Sequence, residues 1–438
     1  MPQAAGRARL HAPDRALQLP GDVAGQRGEV HPALRPGGQS SPEGDAMNSL
    51  RNAVTLAVAT FVLAGLVTSA GAVDGVTKDE IRIGSFGPLT GPVYMYGKLA
   101  MNGLEALFDK VNQQGGVHGR KLKLVREDDS CKPEGGIAAA KKLIYEDKVF
   151  AINGGGCSNS TLAAKPEIAK AGIPFVVNSA VADGITTPPS PNIFTTQLTA
   201  TIESRAQVKY ALEQKAKKIA VVAQKDAWGR SRYEPLLTAL KEQSLKPVVD
   251  EEMTVDQNDG TVQALRIMQS GADVVILVVY PKPAAVLIRD SLKLGYKPVY
   301  VGQTAIQDLP QLQEQVGIPG ALEKFVSITT IPAHPDDPEM SEWRDRIKKL
   351  FPSDALSVFN LMGIGSGMVV VEALKRAGPD LTREKFLQAL GTIKNFKTGM
   401  YPGPITCNPP ASHQCNQSVA WMKLVDGKPK TIGVTTLE

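Results

Sequence analysis

The sequence predicts an α/β fold of two Rossmann-like lobes, each a parallel sheet with helices on both faces. From Glu80 onward, short apolar segments alternate with segments of helical periodicity, the punctuation of βαβ units. The alternation comes in two runs of about 120 residues each, enough for two cores. Val274–Val279 (VVILVV) is apolar at every position, as a strand covered on both faces should be.

The first run opens with strand Ile81–Phe86. Helix Gly97–Asn112 carries Leu99, Leu104, Leu107, Phe108 and Val111 at helical spacing and stops at Gly115-Gly116. Strand Lys121–Arg126 follows, then helix Pro133–Asp147 with proline in its first turn, then buried strand Val149–Asn153. Ser158 or Asn159 caps a helix reaching Ala171, and Ile173–Val177 is the next strand. The second run begins with extended Ile193–Leu198 and helix Thr201–Gln214, whose Glu203 sits in the first turn where the helix dipole favours an acid. Strands Ile219–Ala223, Pro247–Val255, Val274–Val279 and Val299–Gly302 alternate with helices Arg230–Gln243, Thr261–Gln269 and Pro283–Leu294. Helices Pro338–Leu350, Val358–Ala377 and Arg383–Leu390 come next, then short strands Pro404–Cys407 and Val419–Leu424.

Residues 1–72 stand apart. Met47 opens a secretory signal peptide: Arg51 supplies positive charge, Ala53–Val67 the apolar core, and Ala70-Gly71-Ala72 a small-x-small cleavage site. Residues 1–46 are rich in Arg, Pro, Gly and Ala without apolar periodicity, and read as an over-extended translation start or a disordered arm. The processed chain is expected to begin near Val73, in the periplasm. No cysteine lies at the cleavage site to carry a lipid.

Net charge is +5, with lysines and acids interleaved and no basic run beside stacking aromatics, which argues against nucleic acid. After the signal peptide no segment reads as a membrane span. The four cysteines are Cys131, Cys157, Cys407 and Cys415. An even count in an exported chain favours disulfides, and order along the chain suggests Cys131–Cys157 and Cys407–Cys415. A bridge closing a loop of roughly 25 residues corresponds to about 3 kcal/mol on the chain-entropy model. Zinc fails on spacing, since no close cysteine pair is matched to a histidine pair.

Ligands of open parallel sheets bind beyond the carboxyl ends of the strands, so two facing lobes make a cleft. Two segments fall there. Gly87–Gly97 (GPLTGPVYMYG) follows the first strand, and its Tyr94 and Tyr96 are unexpected in a plain turn. Gly154–Thr161 (GGGCSNST) follows a strand and opens a helix; its free N–H groups and the Ser158 hydroxyl suit a small carboxylate. It lacks the third glycine of a dinucleotide fingerprint and the last glycine of a nucleophile elbow, and no histidine offers itself as base. Asn159-Ser160-Thr161 also matches a glycosylation sequon. Gly363-Ile364-Gly365-Ser366-Gly367 lies in a helical pattern and reads as close helix packing.

With the loop Asn178–Asp183, these segments carry a resemblance. From about Val73 onward the chain resembles periplasmic substrate-binding proteins of the leucine/isoleucine/valine-binding type, which serve ABC importers. The GPLTGP loop, the Asp128-Asp129-x-Cys131 motif with Cys157-Ser158, and the order of elements carry it. The resemblance implies a type I two-lobe fold with a three-strand hinge, lobe 1 over 73–197 plus 329–404 and lobe 2 over 198–328 plus 405–438. It implies a monomer that needs no cofactor, binds a small carboxylate and hands it to a permease–ATPase complex at the inner membrane. The carboxylate site would be Ser158 and Asn159 with backbone groups of Ala180 and Ala182, walled by Tyr96, Trp228 and Tyr280. Amino-acid binders of the family place a threonine where Ala182 stands and a second-lobe acid where Thr304 stands, both for the ligand's ammonium. With both missing, the expected ligand is an acid without an α-amino group, aromatic or branched and apolar. Asp183 and Asp226 are the residues that could restore an ammonium site. A branched-chain amino acid-binding protein proper and a ligand sensor for a membrane receptor are the alternatives. An enzyme would need a nucleophile–base pair or paired carboxylates, which the sequence does not display.

Overall fold

The computed structural model describes residues 73–436; the expected start at Met47 and the signal peptide lie outside them. Five parallel strands form the first sheet: β1 (Glu80–Gly87), β2 (Lys121–Asp128), β3 (Ala151–Gly154), β4 (Phe175–Val177) and β5 (Ile193–Thr195). Their order is β2-β1-β3-β4-β5. Helices α1 (Lys98–Gln113), α2 (Pro133–Lys141) and α3 (Ser158–Ala171) make the crossovers. Every residue of β3, β4 and β5 is buried, the condition of a sheet covered on both faces. In α1, Leu104, Leu107, Phe108 and Val111 are buried together, which fixes the face turned to the core.

The second sheet repeats this plan. Strands β6 (Ile219–Gln224), β7 (Val249–Met253), β8 (Val274–Val278), β9 (Val299–Gly302) and β10 (Phe325–Thr329) are parallel and ordered β7-β6-β8-β9-β10. Helices α4 (Ala200–Glu213), α5 (Ala227–Glu242), α6 (Thr261–Ser270), α7 (Pro281–Lys293) and α8 (Leu309–Val316) flank it. An antiparallel hairpin, β11 (Ser418–Val425) and β12 (Lys428–Thr436), extends the sheet beyond β10 to seven strands.

Between β10 and β11 in sequence, the chain returns to the first lobe through α9 (Ser341–Leu350), α10 (Val358–Ala377) and α11 (Arg383–Gly391). Helix α10 is long and apolar enough to cross a membrane by composition, but 83% of its apolar window is buried inside the protein. It lies against α1. A Cβ at Gly363 would strike the backbone of Ala100, and one at Gly367 would meet Leu104 Cδ1 at 2.5 Å. The glycine run is therefore a packing surface.

Four elements depart from the sequence reading. Strand β10 and helix α8 escape periodicity because both are short, although Asp308 caps α8 by accepting from the Gln311 N–H and Gly317 ends it at φ 71°. Strand β12 follows Asp426-Gly427, which take φ of 52° and 74° in a hairpin turn. The expected strand at Pro404–Cys407 reduces to a single bridge between Phe396 and Ile405. The segment after it stays with the first lobe: the Thr195 N–H donates to the His413 carbonyl and the Cys415 N–H to the Thr195 carbonyl. The return to the second sheet thus comes near Asn416, later than the expected boundary at 404/405.

Both disulfides, Cys131–Cys157 and Cys407–Cys415, are formed. Around the first, the acidic pair is structural. The Asp129 carboxylate accepts from the Ser160 hydroxyl at 2.6 Å and the Cys131 N–H at 2.8 Å. Asp128 accepts from the Leu89 N–H at 3.0 Å and the Ser130 N–H at 2.9 Å. Burial works against the Asp128 carboxylate, yet those N–H donors outweigh it and hold its pKa below the ordinary value. The bridge spans 26 residues and so constrains the unfolded chain by about 3 kcal/mol. We expect Cys131→Ser with Cys157→Ser to lower the melting temperature by several degrees in a thermal scan. The native protein should titrate with no free thiol; four reactive thiols would exclude both bridges.

Candidate functional site

The carboxyl ends of the two sheets meet in a cleft. Tyr96, Ser158 and Ala180 line it from the segments after β1, β3 and β4. Trp228, Tyr280 and Thr304 line it from the segments after β6, β8 and β9. Because the strand order repeats, each lobe presents the same three loops. Both clusters sit at the switch point where such sheets bind ligands.

On the first lobe, α3 starts without a side-chain cap and without an acid in its first turn. The N–H groups of its first turn thus have no acceptor within the helix. The Ser158 hydroxyl oxygen accepts from the N–H groups of Val181 and Ala182, both at 3.3 Å, which leaves its proton as a donor. Gly156 permits the close approach behind it, since a Cβ there would meet Pro88 Cδ at 2.8 Å. The Ala180 N–H donates to the Gly155 carbonyl and the Ala182 N–H to Ser158. Those two amides, expected to face the ligand, are engaged within the loop. Ala182 and Asn159 do not line the cleft, whereas Ser179 does, with its hydroxyl donating to the Tyr96 carbonyl at 3.2 Å.

On the second lobe, Trp228 and Tyr280 stack with ring centroids 4.2 Å apart and planes 18° from parallel. Asp226 caps α5 by accepting from the Gly229 N–H, which places Trp228 in the first turn. One turn later Arg232 lays its guanidinium over the Trp228 ring, 4.8 Å from the centroid. Arg232 pairs with Glu203 of α4, and the Thr304 hydroxyl donates to the same carboxylate. The side chains of Arg232 and Glu203 are 4% and 1% exposed, so neither charge reaches bulk water. Burial pushes the Glu203 carboxyl up from its ordinary value, while Arg232 and the Thr304 hydroxyl draw it down. Sequence reasoning missed this pair. Its legible trace was Trp228 and Arg232 four residues apart on one helix face.

Asp183 and Asp226, the residues that could have restored an ammonium site, are committed elsewhere. Asp183 accepts from the Thr201 N–H and hydroxyl at 3.1 and 2.7 Å, and Asp226 caps α5. Neither lines the cleft.

The lobes touch directly. The Tyr96 hydroxyl donates to the Ala305 carbonyl at 3.0 Å, and the Tyr96 ring lies 6.2 Å from Tyr280 and edge-on to Phe359 at 5.1 Å. The free space left in the cleft is about 20 Å³, room for roughly one or two water molecules. A larger solute enters only as the lobes part or the aromatic side chains swing aside. Among the described residues no group of His, Cys, Asp and Glu is placed to hold a metal.

Comparison with known proteins agrees with this geometry. A family model described as periplasmic binding protein matches residues 80–429. The chain is 28% identical over 336 residues to a Leu/Ile/Val-binding protein homolog of Brucella abortus (strain 2308), covering 73% of this chain and 84% of the relative. It shares its fold with a branched-chain amino acid transporter substrate-binding protein of Streptococcus pneumoniae in complex with isoleucine (TM-score 0.69, 18% identity, covering 82% of this chain and 99% of the other). It also shares it with a solute-binding protein of an ABC transporter from Rhodopseudomonas palustris BisB5 in complex with 3,4-dihydroxybenzoic acid (TM-score 0.69, 22% identity, 82% and 98%). The chain belongs to the periplasmic binding protein family, as a type I member of the Leu/Ile/Val-binding kind.

Proposed function

We propose that the protein binds a small carboxylate lacking an α-amino group and delivers it to an ABC importer at the inner membrane. One observation carries the choice of ligand: Glu203, the acid that contacts the cleft residues Arg232 and Thr304 without lining the cleft itself, is already neutralised by Arg232. An ammonium group would enter without a carboxylate of its own and beside a guanidinium, at a cost of several kcal/mol. The same fold holds isoleucine in one structure and 3,4-dihydroxybenzoic acid in another, so residues of this cleft have to decide. The start of α3 and the Ser158 hydroxyl would take the carboxylate. Tyr96, Trp228 and Tyr280 would flank an apolar or aromatic body. The names of the curated relatives favour a branched-chain amino acid as the second reading.

Binding follows from hinge physics. A solute that contacts both walls does so only when they close, and this difference in contact shifts the population toward the closed form. The Tyr96–Ala305 hydrogen bond belongs to that closed form. No nucleophile–base pair lines the cleft, and capture without chemistry is the role proposed.

Isothermal titration with leucine, benzoate and 3-phenylpropenoate tests the ligand class. The deaminated acids should bind and leucine should not; tight leucine binding with no heat from the acids would end this reading. Ser158→Ala should weaken acid binding by about 1–3 kcal/mol, because a carboxylate oxygen loses its donor. Trp228→Ala should weaken it through the lost aromatic wall, and an unchanged affinity would remove Trp228 from the site. Tyr96→Phe leaves the Ala305 carbonyl without its donor, worth about 1–3 kcal/mol when buried. Small-angle scattering of that variant should show a larger radius of gyration than the parent protein; superimposable curves would show that the hydroxyl does not hold the lobes together.

A further inference from the structure

The guanidinium of Arg232 is held on three sides. Its face lies on Trp228, one terminal nitrogen pairs with Glu203, and the other donates to the Thr304 hydroxyl at 3.4 Å. Its Nε is buried and has no partner. Arg232 lines the cleft, across from the carboxylate end at Ser158. A buried N–H of a charged group left unpaired is costly, and few persist in folded proteins. An oxygen on the bound solute would satisfy it. We propose that Arg232 is a specificity residue that reads the far end of the ligand, donating its Nε hydrogen to a neutral oxygen such as a phenolic hydroxyl or a ketone. This rests on the reading of the cleft as a carboxylate site and narrows it.

The charge balance selects the kind of oxygen. Glu203 already neutralises the guanidinium, so a second carboxylate would be buried without a counter-charge. A hydrocarbon end would leave the Nε hydrogen unpaired. A neutral acceptor avoids both penalties, and an arginine fixed by stacking and by its fork presents that hydrogen in one direction. The preferred class is therefore hydroxylated or oxo-substituted acids, above plain hydrocarbon acids and above dicarboxylates.

Titration calorimetry on the full chain with benzoate, 4-hydroxybenzoate and benzene-1,4-dicarboxylate is the test. The wild-type protein should prefer 4-hydroxybenzoate to benzoate by about tenfold or more, the scale of one hydrogen bond to a charged group. The dicarboxylate should bind more weakly than the hydroxy acid. In Glu203→Gln with Arg232→Met, which removes both charges together, the preference should fall to within about twofold. Equal affinities for benzoate and 4-hydroxybenzoate in the wild type, a retained preference in the double variant, or tightest binding of the dicarboxylate would each overturn the role of Arg232 while leaving the carboxylate site standing. Absence of binding by all three acids would overturn the site reading itself, and this inference with it. If a melting curve shows the double variant unfolded, the ¹⁵N-edited signal of Arg232 Nε–H in the wild type decides. A shift with 4-hydroxybenzoate and none with benzoate supports the assignment; equal shifts refute it.

Discussion

A guanidinium buried to 4% exposure cannot stand without a carboxylate, and the one that Arg232 takes is Glu203 of α4. This pairing organises the wall around it. It ties α4 to α5, gives the Thr304 hydroxyl an acceptor, and flattens the guanidinium against Trp228, which in turn stacks on Tyr280. Five side chains from four segments are linked through one neutralised pair. Under the proposed function the same pair sets the sign of what the cleft accepts, since the acid is occupied before any ligand arrives.

The first lobe reaches rigidity by a different route. Asp129 holds Ser160 near the start of α3 and the backbone of Cys131, and Asp128 holds the backbone of the loop leading to Tyr96. With Cys131–Cys157, these bonds lock two glycine-rich segments together just behind Ser158. Neither acid is a ligand group; both serve as anchors for backbone that has little side chain of its own to pack. Two walls of opposite construction thus face each other, one of backbone and hydroxyl, the other of aromatic rings and a buried ion pair.

Much of this was legible before the structure. Alternating periodicity disclosed nearly all of the parallel strands, because a covered strand must be apolar and its crossover helix amphipathic. Tyr96 and Ser158 stood out because each follows a strand's carboxyl end, while Trp228 and Tyr280 came only from the family resemblance. Glu203 and Arg232 did not stand out. They are separated by 29 residues on two helices; Glu203 read only as a first-turn acid, Arg232 drew no reading, and only helix packing reveals the pair. Strand β10 was lost to its length, five residues behind a glycine–proline stretch. Strand β12 was lost to its lysines and its largely exposed face, which belong to an edge and carry little hydrophobic signal.

That edge has a consequence for the protein in a crowded compartment. The last strand of a sheet offers unsatisfied amides to any extended chain that drifts past, the template on which aggregates grow. Here Lys428, Pro429 and Lys430 open the strand, and the register slips beside Trp421 and Met422. Repelling charge, a residue with no amide hydrogen, and a local kink are three separate deterrents to recruitment. Under the proposed function, a protein whose lobes part and meet repeatedly can leave its cleft adhesive because its flank is not.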